Sequence, residues 1–421
     1  MSKIKKKKSP ISQKHIDAQR KNYFLSHLKN LFNKITNNDQ VFNLLPKSEL
    51  DQLYAKRFRP IKVKAGLNQK IPKDILQYCQ QQIKQALNDD SFPLNIGKLE
   101  KITYYDYLSI GYTILRYHAL LNEKDFKDAI RVKQSLSKFA QKFNLEINSM
   151  AIEKYCLVTE QLSMLLSDLD SGLCIINNVK IEESNYVGYI MEIYEVKTIK
   201  KDISIDGEKR ITHKLGWAIW QETFQIHSFQ IQYLTIASEK LGLTNNIELD
   251  VYIQNHTLKK LNERMDDMNP GYLHFNTFES LRNPKVCRNN NGNLLIEFRM
   301  FGVKTGYFLA EIIDEILVLK TFLFLINNGT PEGDKLNRNT GLMKEDKKYL
   351  NIDKISAFLN SDIPSNDRLK KIFIDAGCES LFNVDKSLYL GEVEKQKKLG
   401  DVFTRYLKLD NNKPANETSS N

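Results

Sequence analysis

The hydrophobic period of this chain changes at Gly172, and that change limits what it can become. Before it, apolar residues recur every three or four positions, as in Phe24, Leu28, Leu31, Phe32 and Ile35, or Val158, Leu162, Leu165, Leu166 and Leu169. That spacing predicts helices. After it, LCIINNVKIEE and YVGYIMEIYEVKTI read as strands, and DISIDGEKRITHKL reads as a hairpin turning at Asp206-Gly207. A chain of 421 residues is long for one core. The pattern therefore predicts an α+β protein in parts: a helical N-terminal domain over 13–170, a mostly antiparallel sheet domain with helices over 171–330, and a small helical appendage over 345–408. The lysine-rich start, 1–12, and the polar end, 410–421, are expected to be a disordered basic arm and a disordered tail.

Local signals add detail. Thr103 should cap a tyrosine-rich helix. A helix is expected through Phe229, Tyr233, Ile236 and Ala237, ending near Gly242. NNGTPEGDK, from Asn327, has turn chemistry throughout. A helix through Leu369, Ile372, Phe373 and Ala376 should start at Ser365 and stop at Gly377.

The formal charge of +11 points to an anionic partner, RNA or DNA. The total needs discounting, because the chain is rich in Asn, Lys and Ile, a bias that an AT-rich genome produces unaided. Where the charge clusters is better evidence. The five cysteines are widely spaced with no CxxC, which predicts reduced thiols, no metal site and a cytoplasmic location. No cofactor motif occurs. The longest apolar run, Ile316 to Ile326, is interrupted by Lys320 and too short for a bilayer, so no membrane association is expected.

Three places could carry chemistry. Gln52 to Lys73 has no acidic residue and holds Lys56, Arg57, Arg59, Lys62 and Lys64, with Phe58 interleaved. Cations neutralise phosphates there and aromatic faces can stack on bases; a solvated basic face is the plain alternative. On a helix from Asn255, Leu258, Leu261, Met265 and Met268 fall on one side, leaving His256, Lys260, Glu263 and Arg264 on the other. An imidazole beside a guanidinium could shuttle a proton and clamp a phosphate. Lys320, inside ILVLKTFLFLI, must be paired, snorkelling or used. Strand alternation would set it on one face with Ile316, Val318 and Phe322. A salt bridge to Glu297 or Glu311 is one outcome; a cationic cluster with Arg299 and Tyr307 is the other.

Residues 249–326 run strand, helix, then a three-strand meander ending in LVLKTFLF. This order, with its His-x-x-x-Lys-x-x-Glu-Arg helix, resembles the RelE/ParE-type toxin fold of the barnase and colicin group of ribonucleases. The resemblance implies RNA cleavage without a metal, with the 2′-hydroxyl attacking and cations stabilising the pentavalent phosphorus. By type and approximate place it implies catalytic roles for His256, Arg264, Arg299, Tyr307 and Lys320. The match covers under a fifth of the chain, which departs from the family in length, in its helical N-terminal half and in the insertion from Pro270 to Asn291. A non-catalytic protein-interaction scaffold, or an accessory factor of replication or of a mobile element, fits the same composition. Oligomeric state is not encoded in any of these signals.

Overall fold

The computed structural model describes residues 13–142, 145–183, 186–222, 226–244, 247–266, 268–388 and 399–407. The expected arm at 1–12 and tail at 410–421 lie outside them. In chain order the first elements are α1 (Gln13–Thr36), α2 (Lys47–Ala55), β1 (Lys62–Ala65), α3 (Lys73–Asp89), β2 (Ser91–Ile96), β3 (Leu99–Thr103), α4 (Tyr104–Asp106) and α5 (Tyr112–Leu120). Then come α6 (Ala129–Lys142), α7 (Leu145–Leu166), β4 (Leu173–Glu183), β5 (Tyr186–Val196), β6 (Lys200–Ile205), β7 (Glu208–Lys214), β8 (Gly216–Glu222), β9 (Ile226–Tyr233) and β10 (Thr235–Ala237). The chain continues through β11 (Glu248–Gln254), α8 (Asn255–Arg264), α9 (Pro270–Arg282), β12 (Val286–Arg288), β13 (Leu294–Met300), β14 (Val303–Ile313) and β15 (Ile316–Phe324). It ends with α10 (Pro331–Thr340), α11 (Lys344–Tyr349), α12 (Ser356–Leu359), α13 (Asp367–Ala376) and α14 (Leu399–Tyr406). The class is α+β: helices first, sheet with helices in the middle, small helices last.

The described residues form two compact units whose limits differ from the 170/171 boundary. One draws on Met1–Leu162, Ile176–Tyr194 and Glu222–Ser228; the other on Ser163–Ile175, Glu195–Gln221 and Phe229–Asn421. The N-terminal unit is not purely helical. β2 and β3 form a hairpin, and β1 pairs parallel with β5, Lys62 to Ala65 lying against Ile190 to Ile193. These strands escape a helical reading because each is only four to six residues long. The helical stripes otherwise bury as expected: Leu28, Phe32 and Ile35 on α1, and Cys79, Ile83 and Leu87 on α3, are core residues. Thr103 does cap its helix, its hydroxyl accepting the Asp106 N–H at 3.0 Å.

In the C-terminal unit one sheet runs β12-β13-β14-β15-β11-β7-β6, with β10 also on β11. β11 and β15 are parallel, Asp250–Ile253 against Ile316–Leu319, and the other pairings are antiparallel. The β6–β7 hairpin turns at Asp206-Gly207, both with positive φ (52° and 81°), which the mirror-image two-residue turn requires. Helix α8 packs on β15 and α9 on β13. At the start of α9 a Cβ on Gly271 would lie 1.5 Å from the Met164 carbonyl oxygen, so only glycine permits that approach.

Three sequence expectations fail here for identifiable reasons. The segment with Tyr233, Ile236 and Ala237 is strand, not helix: Leu234 and Ile236 are buried while Thr235 between them is exposed, a period of two. NNGTPEGDK is a turn only to Thr330, whose hydroxyl accepts the Gly333 N–H at 2.9 Å and opens α10 with Pro331 in its first turn. α13 is capped by Asn366, not Ser365, and stops at the left-handed Gly377 as expected.

His274 on α9 is 2% exposed, and burial pulls its imidazole from 6.5 down to about 3. Above pH 6.5 the ring is neutral in folded and unfolded chains. Below it the unfolded ring binds a proton that the folded ring refuses, so stability falls as pH drops from 6.5 toward about 3. The total is on the order of 5 kcal/mol. Denaturation midpoints measured across that range should fall less steeply for His274→Asn than for the unaltered chain; identical acid limbs would contradict this assignment.

Candidate nucleic-acid interface

The basic stretch after α2 is shaped by what ends that helix. Lys56 closes α2 through its N–H to the Gln52 carbonyl at 2.8 Å, and Pro60 bars helix beyond it. The chain then runs extended into β1. The Phe58 N–H donates to the Thr113 hydroxyl at 3.0 Å, while the Gln80 amide brackets the strand entry, accepting from the Val63 N–H at 3.1 Å and donating to the Ile61 carbonyl at 2.8 Å. Arg57 to Lys62 are thereby fixed along one wall of a groove of about 690 Å³. α1 supplies the facing wall with Arg20, Tyr23, Phe24 and His27, and Tyr105 closes the end. A π-helical turn, Tyr107–Gly111, interrupts the helix that carries Tyr105, Asp106, Ser109 and Ile110 to this wall; such turns often mark functional sites.

Arg57 is the unusual residue. Its side chain is buried at 8% exposure, donates to the Tyr54 carbonyl, and stacks its guanidinium 3.5 Å from the centroid of the Tyr54 ring. Among the described residues no carboxylate bonds to it. Burial, then repulsion from Arg59, pulls it down to about 10, with Arg20 adding to the repulsion. A guanidinium desolvated among like charges is short of an anion. Tyr23, across the groove, is 68% exposed, with the His27 ring 4.6 Å away. The groove shares His27, Asp106 and Ile110 with a second hollow of about 280 Å³ that includes Lys34 and Lys101.

The other expected contacts here divide. Phe58 is not a stacking platform: it is buried between Tyr112 and Tyr189 at centroid distances of 5.8 and 5.7 Å. Lys56 is exposed outside the groove, within 3.4 Å of Gln52. Lys64 pairs with Glu192 on β5 at 3.0 Å. The parallel register sets those two residues side by side, and no scan of 52–73 could show it.

In the C-terminal unit the five residues singled out on 249–326 do not gather in one place. Arg264 is mostly buried and ion-paired with Asp353, 89 residues on, and donates to the Asp353 carbonyl at 3.3 Å. Burial pulls it below its ordinary value. His256 is exposed on the first turn of α8. Lys260 holds Glu263 at 2.6 Å. Lys320 lies at a bulge: Leu309 pairs with Thr321 and Ala310 with Leu319, leaving Lys320 as the extra residue. Its amine donates to Glu311 at 2.6 Å and Asp206 at 3.0 Å, and those bonds push it up. The bulge also breaks the expected alternation. Ile316 and Val318 pack with Ile203, Ile205 and Tyr252 on one face, whereas Phe322 joins Leu317 and Leu319 in the main core on the other.

Arg299 and Tyr307 do share a network, but carboxylates organise it. Arg299 bonds Glu297 at 3.0 Å through Nε. Lys304 sits 2.6 Å from Glu332 and 3.9 Å from Glu297. The buried Tyr307 hydroxyl contacts both Glu332 oxygens at 3.1 Å, and burial followed by that carboxylate pushes it up. Sequence reasoning missed Glu332, the hub, because α10 was read as a turn. It also missed Lys347 on α11, a buried amine held by the Ile326 and Gly333 carbonyls and Asn328 at 2.7–3.1 Å, and pulled down to about 8 by burial. No local signal separates it from Lys344 or Lys348.

Comparison with known proteins gives no match among family models, curated proteins or solved structures.

The Arg264–Asp353 pair makes a direct prediction. Arg264→Leu leaves a carboxylate of 7% exposure unpaired and should cost about 3 kcal/mol. Adding Asp353→Leu should recover most of that loss in denaturation experiments. An Arg264→Leu chain as stable as the parent would show that the pair is not structural.

Proposed function

We propose that this protein associates with single-stranded nucleic acid in the cytoplasm through the groove of its N-terminal unit. The observation that carries this is Arg57: a buried guanidinium with no carboxylate bonded to it among the described residues, beside Arg59 and Arg20 in a groove that also exposes Tyr23. A phosphodiester supplies the missing anion, and a base can lie on the tyrosine face. Single strands suit a narrow groove with aromatic walls better than a duplex does, because unpaired bases leave their faces available for stacking.

A ribonuclease of the RelE/ParE type is the second reading. The strand, helix and meander order of 249–326 supports it, as does the network joining Arg299 to Tyr307. Against it stand the carboxylates on Arg264, Arg299 and Lys320, since a neutralised cation adds little to a developing phosphorane charge. A protein-interaction scaffold has no feature that requires a desolvated, unopposed Arg57.

Binding of a fluorescent single-stranded oligonucleotide, titrated between 50 and 200 mM salt, tests the proposal. With about three phosphates neutralised, affinity should fall roughly tenfold to thirtyfold over that range. Arg57→Gln should weaken binding and lower the log–log slope by about 0.7. Salt-independent binding, or an Arg57→Gln protein that is folded and binds unchanged, would defeat it. Cleavage in the presence of chelator, lost in His256→Ala, would favour the second reading.

A further inference from the structure

A pocket of about 530 Å³ lies beside α8 in the C-terminal unit, remote in composition from the cationic groove. Its floor includes His274. The imidazole is 2% exposed, and neither ring nitrogen completes a hydrogen bond; the Gly216 backbone lies nearby without closing one. The ring meets Trp217 edge-on at a centroid distance of 5.0 Å. Burial keeps it neutral, which leaves one nitrogen as an acceptor with nothing to accept. An orphaned buried acceptor of this kind costs free energy unless something donates to it.

The rest of the lining is mixed, with carboxylates in excess. The Thr277 hydroxyl spends its proton on the Leu273 carbonyl at 2.7 Å, so it can offer only lone pairs. The side-chain oxygen of Asn255 is engaged by His213, which leaves its amide N–H groups, with Asn262 and Lys259, as the donors of the lining. Asp168 is fixed by a paired turn, its backbone exchanging 2.8 Å hydrogen bonds with Gly172 in both directions. One of its carboxylate oxygens accepts the Asp170 N–H at 3.0 Å, and the other has no bond among the described residues. Three carboxylates line the pocket, from Asp168, Asp170 and Glu263, against one amine, from Lys259. Two of the three are partly spoken for, Glu263 by Lys260 at 2.6 Å and Asp170 by Lys200 at 3.9 Å. Asp168 is not. Between these groups lie leucine side chains from the turn, α8 and α9, together with Asn262 and Pro270.

An unpaired Asp168 carboxylate and a buried imidazole acceptor, set among leucine side chains, favour a cationic ligand with an apolar body. We infer that this pocket binds a small organic ammonium ion, with its N–H groups shared between Asp168 and the imidazole of His274 and its carbon body against the leucines. A neutral alcohol of the same length could fill the space but would give up the charge-assisted bond to Asp168, the stronger of the two contacts. An inorganic cation would leave the leucine walls unused.

Calorimetric titration of the full-length chain with 1,4-diaminobutane tests this, with 1,4-butanediol as the neutral isostere. The diamine should bind at one saturable site and the diol should not. Asp168→Asn keeps the turn-forming side chain and should weaken diamine binding about tenfold or more. In the unaltered protein, the ring ¹⁵N resonances of His274 should shift with the same midpoint, a readout that needs no variant to fold. The inference is overturned if the diamine shows no saturable binding, if the diol binds equally well, or if binding persists in Asp168→Asn with the His274 resonances unmoved.

Discussion

The C-terminal unit depends on one pairing, the parallel contact between β11 and β15. Val251, Ile253, Leu317, Val318 and Leu319 in that pair have no solvent exposure. Parallel neighbours cannot be joined by a tight turn. The chain must leave the end of β11 and return to the start of β15, and here it uses residues 255–315 to do so. α8, α9 and the strands β12 to β14 are all part of that return. The Thr257 hydroxyl, bonded to the Leu319 carbonyl at 2.8 Å, fastens the first turn of α8 to β15. Placement of His256, Arg264, Arg299 and Tyr307 therefore follows from one buried register.

A single extra residue in that register decides which side chains meet. Had β15 alternated without a break, Phe322 would lie with Lys320, Ile316 and Val318 on the face of the smaller cluster. The bulge moves Phe322 into the core and leaves Lys320 on the side of the β6–β7 turn, where Asp206 reaches it. The bulge leaves the Lys320 amine ion-paired to Glu311 and Asp206. It also explains why Lys320 and Tyr307 do not converge: Tyr307 pairs with Leu323, beyond the bulge, and bonds to Glu332 instead.

What the sequence disclosed is what short-range physics fixes. The Asp206-Gly207 hairpin, the Thr103 cap, the Gly377 stop and the apolar stripes of α1 and α3 all depend on neighbours within a few residues, and all are present. The Thr330-Pro331-Glu332 start of α10 was equally local and was readable as a cap followed by a helix-compatible proline; the adjoining Asn-Asn-Gly obscured it. The unreadable part is long-range neutralisation. Glu192 opposes Lys64, Asp206 opposes Lys320 and Asp353 opposes Arg264, from 89 to 128 positions away in the first and third cases and 114 in the second. Each pairing is set by sheet register or helix packing, so a scan for acid-free stretches cannot detect it.

The same distinction ranks the candidate sites. Both units desolvate arginine, and desolvation alone says little, because a buried cation with its counter-charge is finished structure. Arg264 has Asp353, and its lowered value records burial that an ion pair offsets. Arg57 has a carbonyl and an aromatic face, and the charges that reach it are those of Arg59 and Arg20. Cation–π contact and one carbonyl bond recover only part of the cost of burying a guanidinium. A fold retains such an arrangement at the expense of its own stability, which is the usual signature of a site kept ready for something it does not contain. By that criterion the groove of the N-terminal unit is unfinished in charge and the pocket beneath α8 is unfinished in hydrogen bonding. In the first, Arg57 lacks an anion, and in the second, Asp168 and His274 lack a donor, so the two sites ask for ligands of opposite character.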